Sequence, residues 1–205
     1  MKWWQRQYAT VLIHVLALLP LAWLIVDLVL GQLTADPIRE IQLRTGRYAI
    51  ILLVISLACS PFYMVLKLKW LLILRRLSGL YGFGYACLHL LNFVEVDYGF
   101  NMSLLLQDAI IEKPFAIAGL AALICLIPVA ITSTRGWQQR LGHRWRHLHY
   151  LVYPATLLAI THFIWQAKID TRLPVSFAIM VIILLIARLP IVRGFMSQAG
   201  EKLRP

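Results

Sequence analysis

Long runs of apolar residues, separated by short polar connections, dominate the pattern of this chain. Six runs of 17 to 20 residues can be marked, and each is long enough to cross a hydrocarbon core of about 30 Å as a helix. Backbone polar groups in lipid must be satisfied within their own segment, and the period-2 alternation of membrane strands is absent. The pattern therefore predicts an all-α integral membrane protein, a six-helix bundle. The runs cover residues 11–30, 48–66, 77–96, 115–132, 148–166 and 173–189.

The composition agrees with a membrane protein. Of the 205 residues, 60% are hydrophobic and 14% are charged, against about 25% charged in ordinary soluble domains. The connections leave no stretch that could form a separate soluble core, so residues 1–205 are predicted to form a single domain. The first run is longer than the hydrophobic part of a signal peptide and lacks a convincing cleavage site, which predicts that it is kept as a helix.

The basic residues are distributed unequally between the two sides of the predicted bundle. Fourteen of the 20 Lys and Arg precede the first run, lie at or after the end of the sixth, or lie between runs two and three and between runs four and five. Eight of the nine acidic residues lie at or toward the other side. Cytoplasmic loops of membrane proteins are enriched in Lys and Arg, so both termini of this multi-pass membrane protein are predicted to be cytoplasmic.

The charge and the missing motifs exclude several classes of function. The net charge of +11 is spread over four segments that flank apolar runs, which favours contact with anionic membrane lipid and no binding of nucleic acid. The three cysteines have neither C-x-x-C nor C-x-x-C-H spacing, which disfavours covalent haem, a zinc site and disulfides. No dinucleotide-binding or P-loop motif is present, so any electrons must come from a separate donor.

Four histidines inside or at the edge of the runs are the candidate functional residues, because ionisable groups in a membrane are costly. Counted from the cytoplasmic starts of their runs, His89 lies about 18 Å deep and His162 about 21 Å deep. His14 and His149 both lie within about 5 Å of the cytoplasmic boundary. Facing helices supply the two axial imidazoles of haem b at matched depth, which predicts haem iron between His89 and His162. A hydrogen-bonded pair that only ties helices together is the alternative.

Small residues accompany both of these histidines. Gly82 and Ala155 lie seven residues before His89 and His162, and Ala86 and Ala159 lie three residues before them. This spacing predicts small faces that leave room for a macrocycle, although such residues also serve close helix packing.

The second pair at matched depth, His14 and His149 near the cytoplasmic boundary, is harder to assign to one site. On an ideal helix His149 and His162 lie about 220° apart. Either Pro154 kinks the helix between them, or His149 faces another helix and has His14 as its partner by depth. The chain is therefore expected to hold one haem b, or two if this second level is also a site.

Several stretches, in order along nearly the whole chain, resemble the MsrQ (YedZ) family within the ferric-reductase-like transmembrane group. Members of this family are the haem-bearing membrane subunits of the bacterial periplasmic methionine sulfoxide reductase system. The stretches are H-V-L-A-L-L-P from His14, A-D-P-I-R-E-I-Q from Ala35, T-G-R from Thr45, R-R-L-S-G-L from Arg75, C-L-H-L around His89, T-S-T from Thr132, L-G-H-R-W-R-H-L-H-Y-L-V-Y from Leu141 and H-F-I-W-Q-A-K from His162.

The resemblance implies an electron-transfer subunit of an oxidoreductase system, not its catalytic subunit. Electrons from the quinol pool or a cytoplasmic flavin reductase would pass through haem b to a periplasmic molybdopterin enzyme that repairs oxidised methionines, and FMN is also associated with the family. His89, His149 and His162 carry over as haem ligands. In the wider group a second histidine lies 13 residues before the one on the third helix, but Arg76 stands there in this chain. The alternatives are a stand-alone ferric or quinone oxidoreductase and a non-redox scaffold or small transporter.

Overall fold

The structure of the protein is a computed structural model that describes residues 3–101, 103–104, 107, 113–167 and 170–202. These residues form helices joined by short turns, and no strand occurs among them, so the predicted all-α class is confirmed. The helices are α1 (Trp3–Val29), α2 (Pro37–Leu66), α3 (Trp70–Asn92), α4 (Pro114–Ile131), α5 (Arg135–Leu141), α6 (His143–Leu148), α7 (Val152–Gln166), α8 (Arg172–Ile186) and α9 (Pro190–Lys202).

Five of the six predicted membrane crossings are present as continuous or nearly continuous helical segments. The first four are α1, α2, α3 with the π turn that follows it, and α4, and the fifth is the segment His143–Gln166. The sixth apolar run forms the 15-residue helix α8, which ends at Ile186, and the chain bends by 71° before Pro190 begins α9. The two helices count as a sixth crossing only as one bent span. The chain is thus a multi-pass membrane protein, and the cytoplasmic location of its termini stays a prediction.

The boundaries of α2 follow from local chemistry. The Asp36 side chain accepts a hydrogen bond from the backbone N–H of Arg39, and Pro37 stands at the first helical position, where its missing N–H has no cost. The helix ends at Leu66, because Lys67 adopts a left-handed conformation with φ 54°.

Two helix pairs form the centre of the bundle. Helix α2 packs most extensively on α3, and α4 packs on α7, while α3 also contacts α4. Helix α1 packs on α3 and α2, so it lies at the periphery of this arrangement. The buried core joins α2, α4, α7 and α8 through Ile50, Leu53, Val54, Leu57, Leu126, Ala155, Ile160, Val181 and Leu184.

The fifth segment contains a break in its helical geometry. A turn of 3-10 helix, His149–Leu151, separates α6 from α7, and α7 begins at Val152. Pro154 therefore lies in the first turn of α7, where proline is tolerated. The departure from α-helical geometry between His149 and His162 is thus the 3-10 turn, which precedes the proline.

Candidate functional site

His89 and His162 lie side by side in the bundle. His89 is near the end of α3 and His162 is near the end of α7, and both are half-buried. The centroids of their rings are 6.0 Å apart, and the ring planes are inclined at 84°. The two residues that the depth count places at the same level are thus direct neighbours in space.

The imidazole of His89 is held by α2. Its Nδ1 lies 2.9 Å from the backbone carbonyl oxygen of Gln42. The side-chain amide of Gln42 reaches the other ring nitrogen, with Nε2 to Nε2 at 3.3 Å, and is itself held by Asn92, whose Nδ2 donates to Gln42 Oε1 at 2.7 Å. Residues from two helices therefore fix the orientation of this ring.

His162 is held in the same way by α4. Its Nδ1 lies 2.7 Å from the backbone carbonyl oxygen of Phe115, and the Phe115 ring lies 5.8 Å from the imidazole, centroid to centroid. A carbonyl oxygen can only accept a hydrogen bond, so Nδ1 of both His89 and His162 must be the protonated nitrogen. Each neutral ring then carries its lone pair on Nε2, the nitrogen that binds a metal. In His89 this lone pair accepts a hydrogen bond from the side-chain amide of Gln42.

The donor set of this pair fits haem iron. The two imidazoles are neighbours, and each has its Nδ1 bonded to a backbone carbonyl, so His89 and His162 would hold the iron through their Nε2 atoms. In the part of the chain that the structure describes, no group of three or more His, Cys, Asp or Glu side chains could hold a metal ion. A cofactor that needs two protein ligands fits these residues, and a metal held by protein ligands alone does not.

The two histidines predicted to lie near the cytoplasmic boundary, His14 and His149, contact different residues. The Nδ1 of His14 on α1 is 2.7 Å from the hydroxyl oxygen of Tyr81 on α3. His149 packs on the Trp145 ring at 3.9 Å between centroids, and its Nδ1 lies 3.1 Å from the Trp145 carbonyl oxygen. Among the described residues, no hydrogen bond or ring contact joins His14 to His149. The structure does not bring this level together as it does His89 and His162.

Two of the four small residues named from the sequence, Gly82 and Ala155, lie in close helix contacts. A Cβ added to Gly82 would lie 3.2 Å from the carbonyl oxygen of Ala49 and 3.3 Å from the backbone nitrogen of Leu53, so this glycine faces the backbone of α2. Ala155 is fully buried in the core that α2, α4, α7 and α8 share. The close-packing alternative therefore describes these two positions.

Sequence reasoning missed the residues that hold the two imidazoles. Gln42 and Phe115 act through backbone carbonyls, which have no signature in the side-chain pattern. Gln42 precedes His89 and Phe115 precedes His162 by the same 47 residues, a spacing that becomes visible only once the contacts are known.

Comparison with known proteins shows which family the chain is similar to. Residues 45–160 match the family model described as ferric reductase like transmembrane component. The chain is 39% identical over 172 residues to the protein-methionine-sulfoxide reductase heme-binding subunit MsrQ of Yersinia pseudotuberculosis serotype O:1b (strain IP 31758), which covers 84% of this chain and 85% of that protein. The MsrQ of Yersinia pestis (strain Pestoides F) is also 39% identical, with 84% of each chain covered. No solved structure matches the chain.

Proposed function

We propose a function on the premise that this chain belongs to the MsrQ family and to the ferric reductase like transmembrane components. It is a multi-pass membrane redox subunit. The relatives are named as haem-binding subunits of a protein-methionine-sulfoxide reductase. On this basis the chain binds haem b in the bacterial inner membrane and transfers electrons across it to a periplasmic molybdopterin methionine sulfoxide reductase.

The observation that carries the proposal is the imidazole pair of His89 and His162. Their rings are 6.0 Å apart, and each is fixed through Nδ1 by a carbonyl of a neighbouring helix. Haem bound by this pair would supply one-electron chemistry. The chain's own residues fix the tautomer and the orientation of each neutral ring, because the backbone carbonyls of Gln42 and Phe115 accept hydrogen bonds from Nδ1.

The direction of transfer follows from where the pair lies. His89 is near the end of α3 and His162 near the end of α7, toward the side that carries most of the acidic residues. With cytoplasmic termini this is the periplasmic side, where the oxidised methionines of the partner's substrate would be. Electrons would enter from quinol or a cytoplasmic flavin reductase, because the sequence has no nucleotide-binding motif. A second haem at His149 and bound FMN stay predictions.

The proposal is tested by purifying the protein and its histidine variants in mild detergent. Wild type should show a reducible b-type absorption spectrum, and His89→Ala and His162→Ala should lose most of it. His143→Ala, at an exposed position of α6, is the matched control and should keep the spectrum. A folded wild-type protein without haem would overturn the proposal in favour of a non-redox scaffold.

A second measurement separates the proposed function from a stand-alone ferric or quinone oxidoreductase. The haem of the pre-reduced protein should be reoxidised when the partner molybdopterin enzyme and methionine sulfoxide are added together. Ferric citrate or quinone alone should reoxidise it more slowly. Equal rates with and without the partner enzyme would favour the stand-alone oxidoreductase.

A further inference from the structure

The two candidate ligands are delivered by structurally equivalent helix pairs. In the first pair α2 supplies a carbonyl and a glycine to His89 on α3, and in the second pair α4 supplies both to His162 on α7. The carbonyl precedes its histidine by 47 residues in each pair. The glycines, Gly46 and Gly119, precede their histidines by 43 residues in each pair. The two pairs are equivalent in spacing and contacts, although their sequences do not form a recognisable repeat.

Each glycine lies against the imidazole itself. A Cβ built on Gly46 would be 2.9 Å from Cε1 and 3.0 Å from Nδ1 of His89. A Cβ built on Gly119 would be 2.9 Å from Nδ1 and 3.1 Å from Cε1 of His162. Such distances are shorter than carbon and ring atoms tolerate, so each ring occupies the space that any other side chain would fill.

The requirement for glycine is steric at both positions. Neither Gly46 nor Gly119 has a positive φ, so an alanine could adopt the backbone conformation. Glycine inside a helix lowers its stability by about 1 kcal/mol relative to alanine, and the backbone conformation at these two positions gives no reason for a glycine. The contact with the imidazole is the feature that accounts for both residues.

The glycine and the carbonyl act on the same ring from one helix face. Gly46 follows Gln42, and Gly119 follows Phe115, by four residues, which places each pair one turn apart on the same side of the helix. The carbonyl oxygen sets the direction of the ring through Nδ1, and the glycine sets how closely the ring approaches the helix. Together they determine where Nε2 lies.

We propose that Gly46 and Gly119 are positioning residues that set the separation of the His89 and His162 imidazoles, and thereby the ligand geometry of the bound iron. This inference rests on the proposed haem function. The two glycines are equivalent, so alanine at either one displaces one ring and leaves the other in place.

The test compares four single alanine variants of the full chain in detergent. Gly46→Ala and Gly119→Ala should each weaken haem binding about 10-fold or more and alter the low-spin electron paramagnetic resonance signal of the haem that remains. Gly84→Ala adds the same methyl group to α3 with nothing within 4 Å, and should match wild type. The methyl group of Gly82→Ala would meet only backbone and aliphatic atoms of α2, so this variant perturbs helix packing without displacing an imidazole ring.

A double-mutant cycle tests the same contact through the melting temperature of the protein. In a His162→Gly background the ring that meets the new methyl group is gone, so Gly119→Ala should no longer lower the melting temperature. An equal loss of melting temperature with and without the ring would overturn the inference. It would also fail if Gly46→Ala and Gly119→Ala bound haem as Gly84→Ala does. A wild-type protein without haem would instead refute the proposed function, so the two failures are distinguishable.

Discussion

Arg188 compensates for a proline inside a membrane helix, and its removal gives a quantitative prediction. Pro61 lies within α2 and has no N–H, so the carbonyl of Leu57, four residues earlier, lacks its helical partner. Arg188, just after α8, donates from Nη2 to this carbonyl at 2.8 Å and from Nη1 to the Tyr153 hydroxyl at 2.8 Å. Leu57 is 2% exposed, so water cannot replace the arginine.

The expected magnitude follows from these contacts. Arg188→Met keeps an aliphatic chain of similar length but leaves the Leu57 carbonyl without a donor, which costs about 1–3 kcal/mol. The Nε of Arg188 is buried without a hydrogen-bond partner among the described residues, and the variant removes that cost. The net loss in free energy of unfolding should therefore lie in the lower part of this range, at about 1–2 kcal/mol.

The assay is denaturation in mixed detergent micelles, followed by circular dichroism, on a double-mutant cycle with Pro61→Ala. Alanine at position 61 restores the backbone N–H, so Arg188→Met should cost about 1 kcal/mol less in that background than in wild type. Arg172→Met, an exposed arginine at the opposite end of α8, is the control and should have little effect. The same loss in both backgrounds would refute the role of the proline-freed carbonyl.

Two further predictions concern packing and charge. Gly82→Ala should lower the free energy of unfolding by about 1–3 kcal/mol, because its Cβ would lie 3.2–3.3 Å from backbone atoms of α2 that cannot move independently; thermal denaturation that equals wild type would contradict this. Asp27→Asn should lower the free energy of unfolding by about 1–2 kcal/mol in the same assay. The reason is that the buried Asp27 pairs with Arg44 at 2.5 Å, while Arg44 keeps Glu40 as a second partner. A loss of stability seen only at low salt would contradict this, because it would show that dissolved ions screen the pair.

The sequence by itself determined the class of protein, the positions of the first five crossings and the family. Runs of 17 to 20 apolar residues are dictated by the thickness of the bilayer, so length and hydropathy suffice to find them. The matched level of His89 and His162 could also be counted, because the rise per residue of a helix is constant. The motifs quoted along the chain indicated the MsrQ family, which the comparisons confirm.

Tertiary structure decided which surfaces meet. Hydropathy does not fix the rotation of a helix about its axis, so the sequence could not tell that Gly82 faces backbone while Gly46 and Gly119 face imidazoles. The sixth run reads as one crossing, yet the chain bends by 71° before Pro190. Depth also placed His14 and His149 at one level, but α1 packs on α3 and directs His14 to Tyr81. Partners such as the Gln42 and Phe115 carbonyls belong to the backbone of every residue, and only packing selects them.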